Sequence, residues 1–388
     1  MNAIPPHPGF KRLGSLDAFR GLTIGLMILV NNPGNWGNIY WPLQHADWHG
    51  WTPTDLVFPF FLFIVGVAIP LSLGRRKEMD SARGPLVTHI FRRSTILFAL
   101  GLLLSAFGLL FKLGPEYGVI DLLSSIRIPG VLHRIAVCYL IASLLFLFVS
   151  HRTLYIVTVS ALLGYWALMV LVPVPGYGAG MIDGKETHLA AYLDRLLLGI
   201  NHLWSVSKTW DPEGLLSTLP ALATTLFGVF TGMWLRRDLP LTKQLRGLLI
   251  AGAVLTTIGW IWSLVFPINK PIWTSSYAVF TAGIALLVLS ACVVLFDVMR
   301  WKRLAIPLQI YGVNALTVFV LSGLVGRLLS EIKVGSNSPV PFKSWLYENL
   351  FHSWLADKNA SLAYSVAWVL GWFVVLAIMY RRKWIIKV

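Results

Sequence analysis

The sequence predicts an all-α polytopic membrane protein of about ten transmembrane helices with both termini in the cytoplasm. Three observations carry that expectation. The 388 residues are 56% hydrophobic and only 13% charged, against a charged share of about 25% in a soluble domain. Apolar stretches near the length needed to cross a hydrocarbon core, about 20 residues, fall at 14–31, 55–73, 94–111, 130–149, 154–172, 215–235, 247–266, 277–296, 304–325 and 361–380. Threading these alternately from an inner N-terminus collects twenty of the 32 lysines and arginines on one side, which is the bias of cytoplasmic loops.

The formal charge of +15 therefore reads as a topology signal. Nucleic acid is excluded as a partner because there is no soluble basic domain to carry it. Acidic residues sort the other way, around Asp47, Asp183, Asp211 and Glu348 on the outer side. Residues 1–10 are expected to be a flexible cytoplasmic N-terminus of one integral-membrane domain spanning 1–388. The first apolar run reads as a retained helix, since many further spans follow it. Cys138 and Cys292 both stand inside apolar runs, which suits packing and argues against a disulfide framework or a zinc site. No metal is required.

The first span opens SLDAFRGL. Asp17 and Arg20 lie at i and i+3 on one helix face, either as a structural ion pair or with Arg20 facing a cytoplasmic cavity and binding an anion such as phosphate. The connection 32–54 is rich in Asn, Trp, Gly and His and has no Lys or Arg, so it is expected to fold back onto the bundle. Trp36, Trp41 and Trp51 also suit interfacial anchoring. Asp55 begins the second span just after Thr52 and Thr54, where a carboxylate caps a helix start. Ten residues earlier stands His45. A histidine at the membrane edge can act as base or acid near neutral pH, and a carboxylate on its far nitrogen would fix the tautomer.

Ionisable and polar groups inside apolar spans are costly and tend to face the bundle interior. His133 and Arg134 open the fourth span, and Asn314 is a buried amide that needs partners in the ninth. The outer segments 173–214 and 326–360, like 32–54, exceed what a plain turn needs, and such connections are often functional. The first of these two ends in WDPEG, where Asp211 and Glu213 either cap the sixth span or bind sugar hydroxyls or an amine. Lys270, Trp273, Ser275 and Tyr277 mark another outer turn, NKPIWTSSY. The phosphate loop, nucleophile elbow, HExxH and dinucleotide fingerprints are all missing from the sequence.

The run SLDAFRGLTIGLMILVNN, then QHADWHGWTPTDLVFPFFLFIVGVAIPLSL, GVLHRIAVCYL, WDPEGLLSTLPALATTLFGVFTG and NKPIWTSSY, resembles the heparan-alpha-glucosaminide N-acetyltransferase family and its bacterial relatives. The likeness covers residues 10 to 325, and the opening LDAFRG is similar to other integral-membrane acyltransferases. The resemblance implies transfer of an acetyl group from cytoplasmic acetyl-CoA to a glucosamine-type amine on the far side of a bacterial inner membrane. It places the active histidine at His45, the family's neighbouring asparagine at Asn31 or Asn32, and the motif aspartate at Asp55. His45 would serve either as general base or as acetyl carrier. The acetyl-CoA side is assigned to Arg20, His133, Arg134, Ser275, Tyr277 and Asn314, and the acceptor sugar to Asp211, Glu213, Trp273 and Lys270. Membrane lipid and a second copy of the chain are the further expected partners. The alternative from the residues alone is an inner-membrane carrier of amino sugars that performs no acyl transfer.

Overall fold

The apolar runs become helices in chain order: α1 (Gly14–Asn31), α2 (Val57–Glu78), α3 (Arg83–Leu110), α4 (Val119–Ser125), α5 (Val131–Phe148), α6 (His151–Leu171), α7 (Leu189–Leu198), α8 (Thr218–Leu235), α9 (Leu241–Trp262), α10 (Ser275–Cys292), α11 (Lys302–Val313), α12 (Ala315–Glu331), α13 (Phe342–Tyr347) and α14 (Asp357–Arg381). This is the computed structural model, which describes residues 14–78, 83–335 and 338–386. The expected N-terminal tail, 1–10, lies outside the described residues.

Among the described residues, eight segments are long and apolar enough to cross a membrane: Pro53–Gly74, α3, α5, α6, α8, α9, Ser275–Val298 and α14. The chain is an all-α polytopic membrane protein. The expected straight span 304–325 is instead the pair α11 and α12, bent by 69°, which brings the number to nine if the pair is counted as one span. The break falls at Asn314, whose backbone leaves the helical region (φ −116, ψ 36). Its side chain takes hold of the C-terminal segment: Nδ2 donates to Trp384 O at 3.0 Å, and Ile386 N donates to Oδ1 at 3.1 Å. The remaining expected span is α1, which falls outside that apolar set. Asp17, Arg20 and Asn31 dilute its 18 residues, and it is held by packing, with Phe19 and Ile24 wholly buried.

Close helix contacts fix where the outer ends lie. A Cβ on Gly66 of α2 would stand 1.9 Å from Thr225 O, and one on Gly228 of α8 would stand 2.0 Å from Phe63 O. These helices therefore meet backbone to backbone, the small-residue packing that joins helices in lipid. Gly21 and Gly312 bring α1 and α11 together in the same way. The α2–α8 contact sets the turn holding Asp55, which leads into α2, beside the turn holding Asp211 and Glu213, which leads into α8.

The connection 32–54 folds back over the bundle, as its composition predicts. Gly50 N donates to Ile268 O at 2.7 Å from a left-handed backbone (φ +96) that glycine adopts without strain. Trp48 Nε1 donates to Ile182 O at 2.9 Å, and Tyr40 OH to Asn359 Oδ1 at 2.6 Å. Trp36 and Trp41 remain exposed, while Trp51 is half-buried against Phe280, with ring centres 5.1 Å apart.

Candidate active site

The turn Thr52–Leu56 and the outer turn before α10 converge on one cluster. His45 Nδ1 lies 2.7 Å from Asp55 Oδ1. The other carboxylate oxygen accepts the backbone N–H groups of Ala46 and Thr52, each at 3.0 Å, so the carboxylate is pinned before it meets the ring. Tyr277 OH donates to the carbonyl oxygen of Asp55 at 2.5 Å and fixes the turn from α10. With Nδ1–H directed at a buried carboxylate, the lone pair falls on Nε2, the tautomer required of a base or nucleophile. The imidazole is 45% exposed whereas Asp55 is 1% exposed, so the ring is presented outward on a buried support. Lys270 Nζ stands 3.0 Å from Nδ1, 3.3 Å from Nε2 and 3.6 Å from Asp55 Oδ1. Burial pulls the Lys270 ammonium below its usual range, with Asp55 and Glu213 opposing that shift.

A second cluster adjoins the first. Arg127 grips Asp211 through Nε and Nη2 at 2.8 and 2.6 Å and reaches Glu213 at 2.5 Å. Burial works against the Arg127 charge, but Glu213 and Asp211 outweigh it and raise its pKa. The charge of Glu213 also favours the ammonium of Lys270. Arg127 also lines a cavity of about 540 Å³ together with Asn31, Asn32, His133, Trp204 and Arg327. His133 is buried there with neither ring nitrogen bonded. At the opposite end of the bundle a cavity of about 610 Å³ is lined by Asp17, Gln309, Arg381 and Lys383. His45 lies outside the lining of both.

The family profile for the catalytic region of heparan-alpha-glucosaminide N-acetyltransferase matches residues 12–271, which includes His45, Asp55 and Lys270. The chain belongs to that family. It is 30% identical to the heparan-alpha-glucosaminide N-acetyltransferase of Homo sapiens over 99% of this chain and 60% of that protein. It is also 30% identical to the Mus musculus protein of the same name over 80% of this chain and 53% of that protein. The chain thus spans about half to three fifths of the length of these curated relatives.

Several residues expected at the site of this N-acetyltransferase-family chain have other work. Arg134, assigned to the acetyl-CoA side, is buried at the outer end. There it donates to Pro212 O and Gly214 O at 3.0 Å and to Ser217 Oγ. It staples the acidic turn to α5. Trp273, expected to stack on a sugar, is 1% exposed in the core, with Nε1 donating to Thr224 Oγ1 at 3.2 Å. Ser275 donates to Leu162 O at 2.7 Å from a fully buried position, and Asn314 forms the helix break. Asp211 and Glu213 are engaged by Arg127 instead of facing an open pocket. Arg20 lies 3.5 Å from Asp17 at the end remote from His45. Asn31 and Asn32 line the outer cavity, with Asn32 Nδ2 donating back to Ile28 O at 2.8 Å. Lys270, assigned to the sugar, stands at the imidazole.

Sequence reasoning passed over Arg127, Trp204, Arg327, Lys343 and Asp194. Asp194 of α7 accepts Leu215 N at 2.8 Å and so supports the acidic turn. Burial, aided by the like charge of Asp211, raises its carboxyl to about 7. Between the ordinary value of 3.8 and about 7 the folded state holds a proton that the unfolded state has released, so stability falls as pH rises through that window. Asp194→Asn keeps an acceptor for Leu215 and removes the charge. It is expected to gain thermal stability over the parent at pH 8, by up to a few kcal/mol, and to match it near pH 4. A difference independent of pH would refute the assignment.

Proposed function

We propose that this chain is an acetyl-CoA-dependent acetyltransferase that acetylates the amine of an amino sugar on the side of the membrane that bears His45. Family membership supports acyl transfer, and the observation that carries the assignment of His45 is its bond to the pinned carboxylate of Asp55. In direct transfer, the amine nitrogen attacks the thioester carbonyl carbon while Nε2 of His45 takes the amine proton. The C–S bond then breaks, and the proton passes to the departing sulfur. If the imidazole instead carries the acetyl group, Nε2 makes the first attack, releasing the thiol, and the amine makes the second. On either route, negative charge develops on the carbonyl oxygen. The Lys270 ammonium beside Nε2 is the group placed to offset it. At the other end, Arg381 and Lys383 suit the phosphates of CoA better than Arg20, which faces Asp17.

The test is purified protein in liposomes with acetyl-labelled CoA and glucosamine. Labelled N-acetylglucosamine is expected, and label retained on protein when acceptor is withheld identifies the acetyl-carrier route. Sugar uptake without CoA and without acetylation would overturn the enzyme reading in favour of a carrier.

A further inference from the structure

The outer polar cavity and an apolar groove are separated by a single layer of side chains. The groove, of about 380 Å³, lies between α12, α13 and α14 and is lined by Val325, Leu346, Phe351, Tyr364, Trp368 and Val375. From Tyr364 to Val375 it follows α14 for about 16 Å, roughly half the thickness of a hydrocarbon core. Its rim residue Leu350 is 52% exposed.

The dividing layer is thin at three points. Trp368, in the groove, donates from Nε1 to Ser322 Oγ at 2.8 Å, and Ser322 lines the cavity. Gly326 lies between the two, where a Cβ would stand 3.3 Å from Asn32 Oδ1 and 3.9 Å from Trp368 Cζ2. Lys343 lines the cavity while its Nζ stands 6.0 Å from the centre of the Tyr364 ring, which lines the groove. Lys343 therefore occupies the shared rim.

Charge at this rim is unbalanced. Asp211 and Glu213 offset Arg127, leaving Arg327 and Lys343 facing Glu331 in the cavity wall. Among the described residues no carboxylate forms an ion pair with Arg327 or Lys343. Burial pushes Lys343 below the usual lysine range, and an anion beside it would counter that shift.

We infer that the acceptor is an amino sugar joined through a phosphate to a membrane-embedded aliphatic chain. The phosphate lies on Lys343 and Arg327 and the chain in the groove along Trp368, while the amino sugar extends from the cavity toward the imidazole of His45, which stands outside the cavity lining. This rests on the reading of the chain as an amino-sugar acetyltransferase.

The experiment compares labelled acetyl transfer by the full chain in nanodiscs to three acceptors: glucosamine, octyl glucosaminide and glucosamine joined to an octyl chain through a phosphodiester. The phosphodiester acceptor is expected to show a KM about 10- to 100-fold below that of glucosamine, as one or two hydrogen bonds to a charged group confer, with octyl glucosaminide in between. Lys343→Gln is expected to remove most of the difference between the two octyl compounds. Gly371→Leu fills the groove from a position with nothing within 4 Å of an added Cβ, and it is expected to raise the KM of both octyl compounds relative to glucosamine. Equal KM values for glucosamine and the phosphodiester would overturn the inference while leaving the acetyltransferase reading intact. An unchanged acceptor preference in both variants would overturn it as well. Transfer to none of the three would overturn the acetyltransferase reading itself, and this inference with it.

Discussion

His45→Ala is expected to lower acetyl transfer by about 10²- to 10⁴-fold, the usual contribution of a positioned acid–base group, while the protein still purifies folded. Folding should survive because the imidazole is half-exposed and closes no core cavity. Its removal nonetheless leaves Asp55 with the Ala46 and Thr52 amides, the Thr52 hydroxyl and Lys270 as partners. Asp55→Asn is expected to fall nearly as far by a different route. An amide can present either a donor or an acceptor to Nδ1, so the tautomer that frees Nε2 is no longer enforced, and the half-buried Lys270 loses its closest counter-charge. Lys270→Met separates the two roles. If the ammonium offsets the developing oxyanion, turnover falls with little change in the KM for glucosamine. Each variant needs a melting curve beside its rate, since a lost fold would counterfeit lost chemistry. Retention of more than about a tenth of parental transfer by folded His45→Ala would remove the histidine from the mechanism, because such a residue changes the barrier by less than about 1.4 kcal/mol.

What could be read from the sequence was what lies close along the chain or repeats with the membrane. The apolar runs gave the helices, and the loop charges suggested an orientation. The pairing of His45 with Asp55 was legible because ten residues and one Thr-Pro turn separate them. Lys270 is 225 residues from His45 and Arg127 is 84 from Asp211, and nothing in the sequence marks those partners. Arg127 and Lys343 were simply part of the minority basic count on the outer side, where isolated charges carry no address. Buried polar residues were legible as buried, but their partners were not. Arg134, Ser275 and Asn314 each satisfy a backbone group, a use that leaves the same local signature as ligand binding. Trp273 misled for a related reason. A tryptophan at an outer turn suits a sugar platform, yet here a left-handed backbone at that residue (φ 49) turns the ring inward onto Phe58 and Tyr277.

Arg127→Ala is expected to cost about 3–5 kcal/mol of stability, the range for breaking one side of a buried ion pair. The Asp211 side chain has no exposure and that of Glu213 is 9% exposed, so truncating the arginine strands two like charges that water reaches from the cavity side alone. Burial already raises the Asp211 carboxyl against the opposing pull of Arg127, and without the guanidinium that carboxyl rises further. The loss should therefore depend on pH in a definite direction. The deficit is largest at the higher pH, where Asp211 has lost its proton. As pH falls, protonation of Asp211 relieves the repulsion in the variant, whereas the parent loses its pair, so the two stabilities converge. Arg127→Lys keeps the charge but not the fork that meets Asp211 through two nitrogens, and should fall between parent and alanine variant. The triple replacement Arg127→Met, Asp211→Leu, Glu213→Gln removes the charges together and should recover most of the loss, as apolar substitutes for buried ion groups often do. A deficit below about 1 kcal/mol, or one equal at pH 5 and pH 8, would mean that the turn before α8 is held by Arg134 and Asp194 alone and that Arg127 is only a lining residue of the cavity.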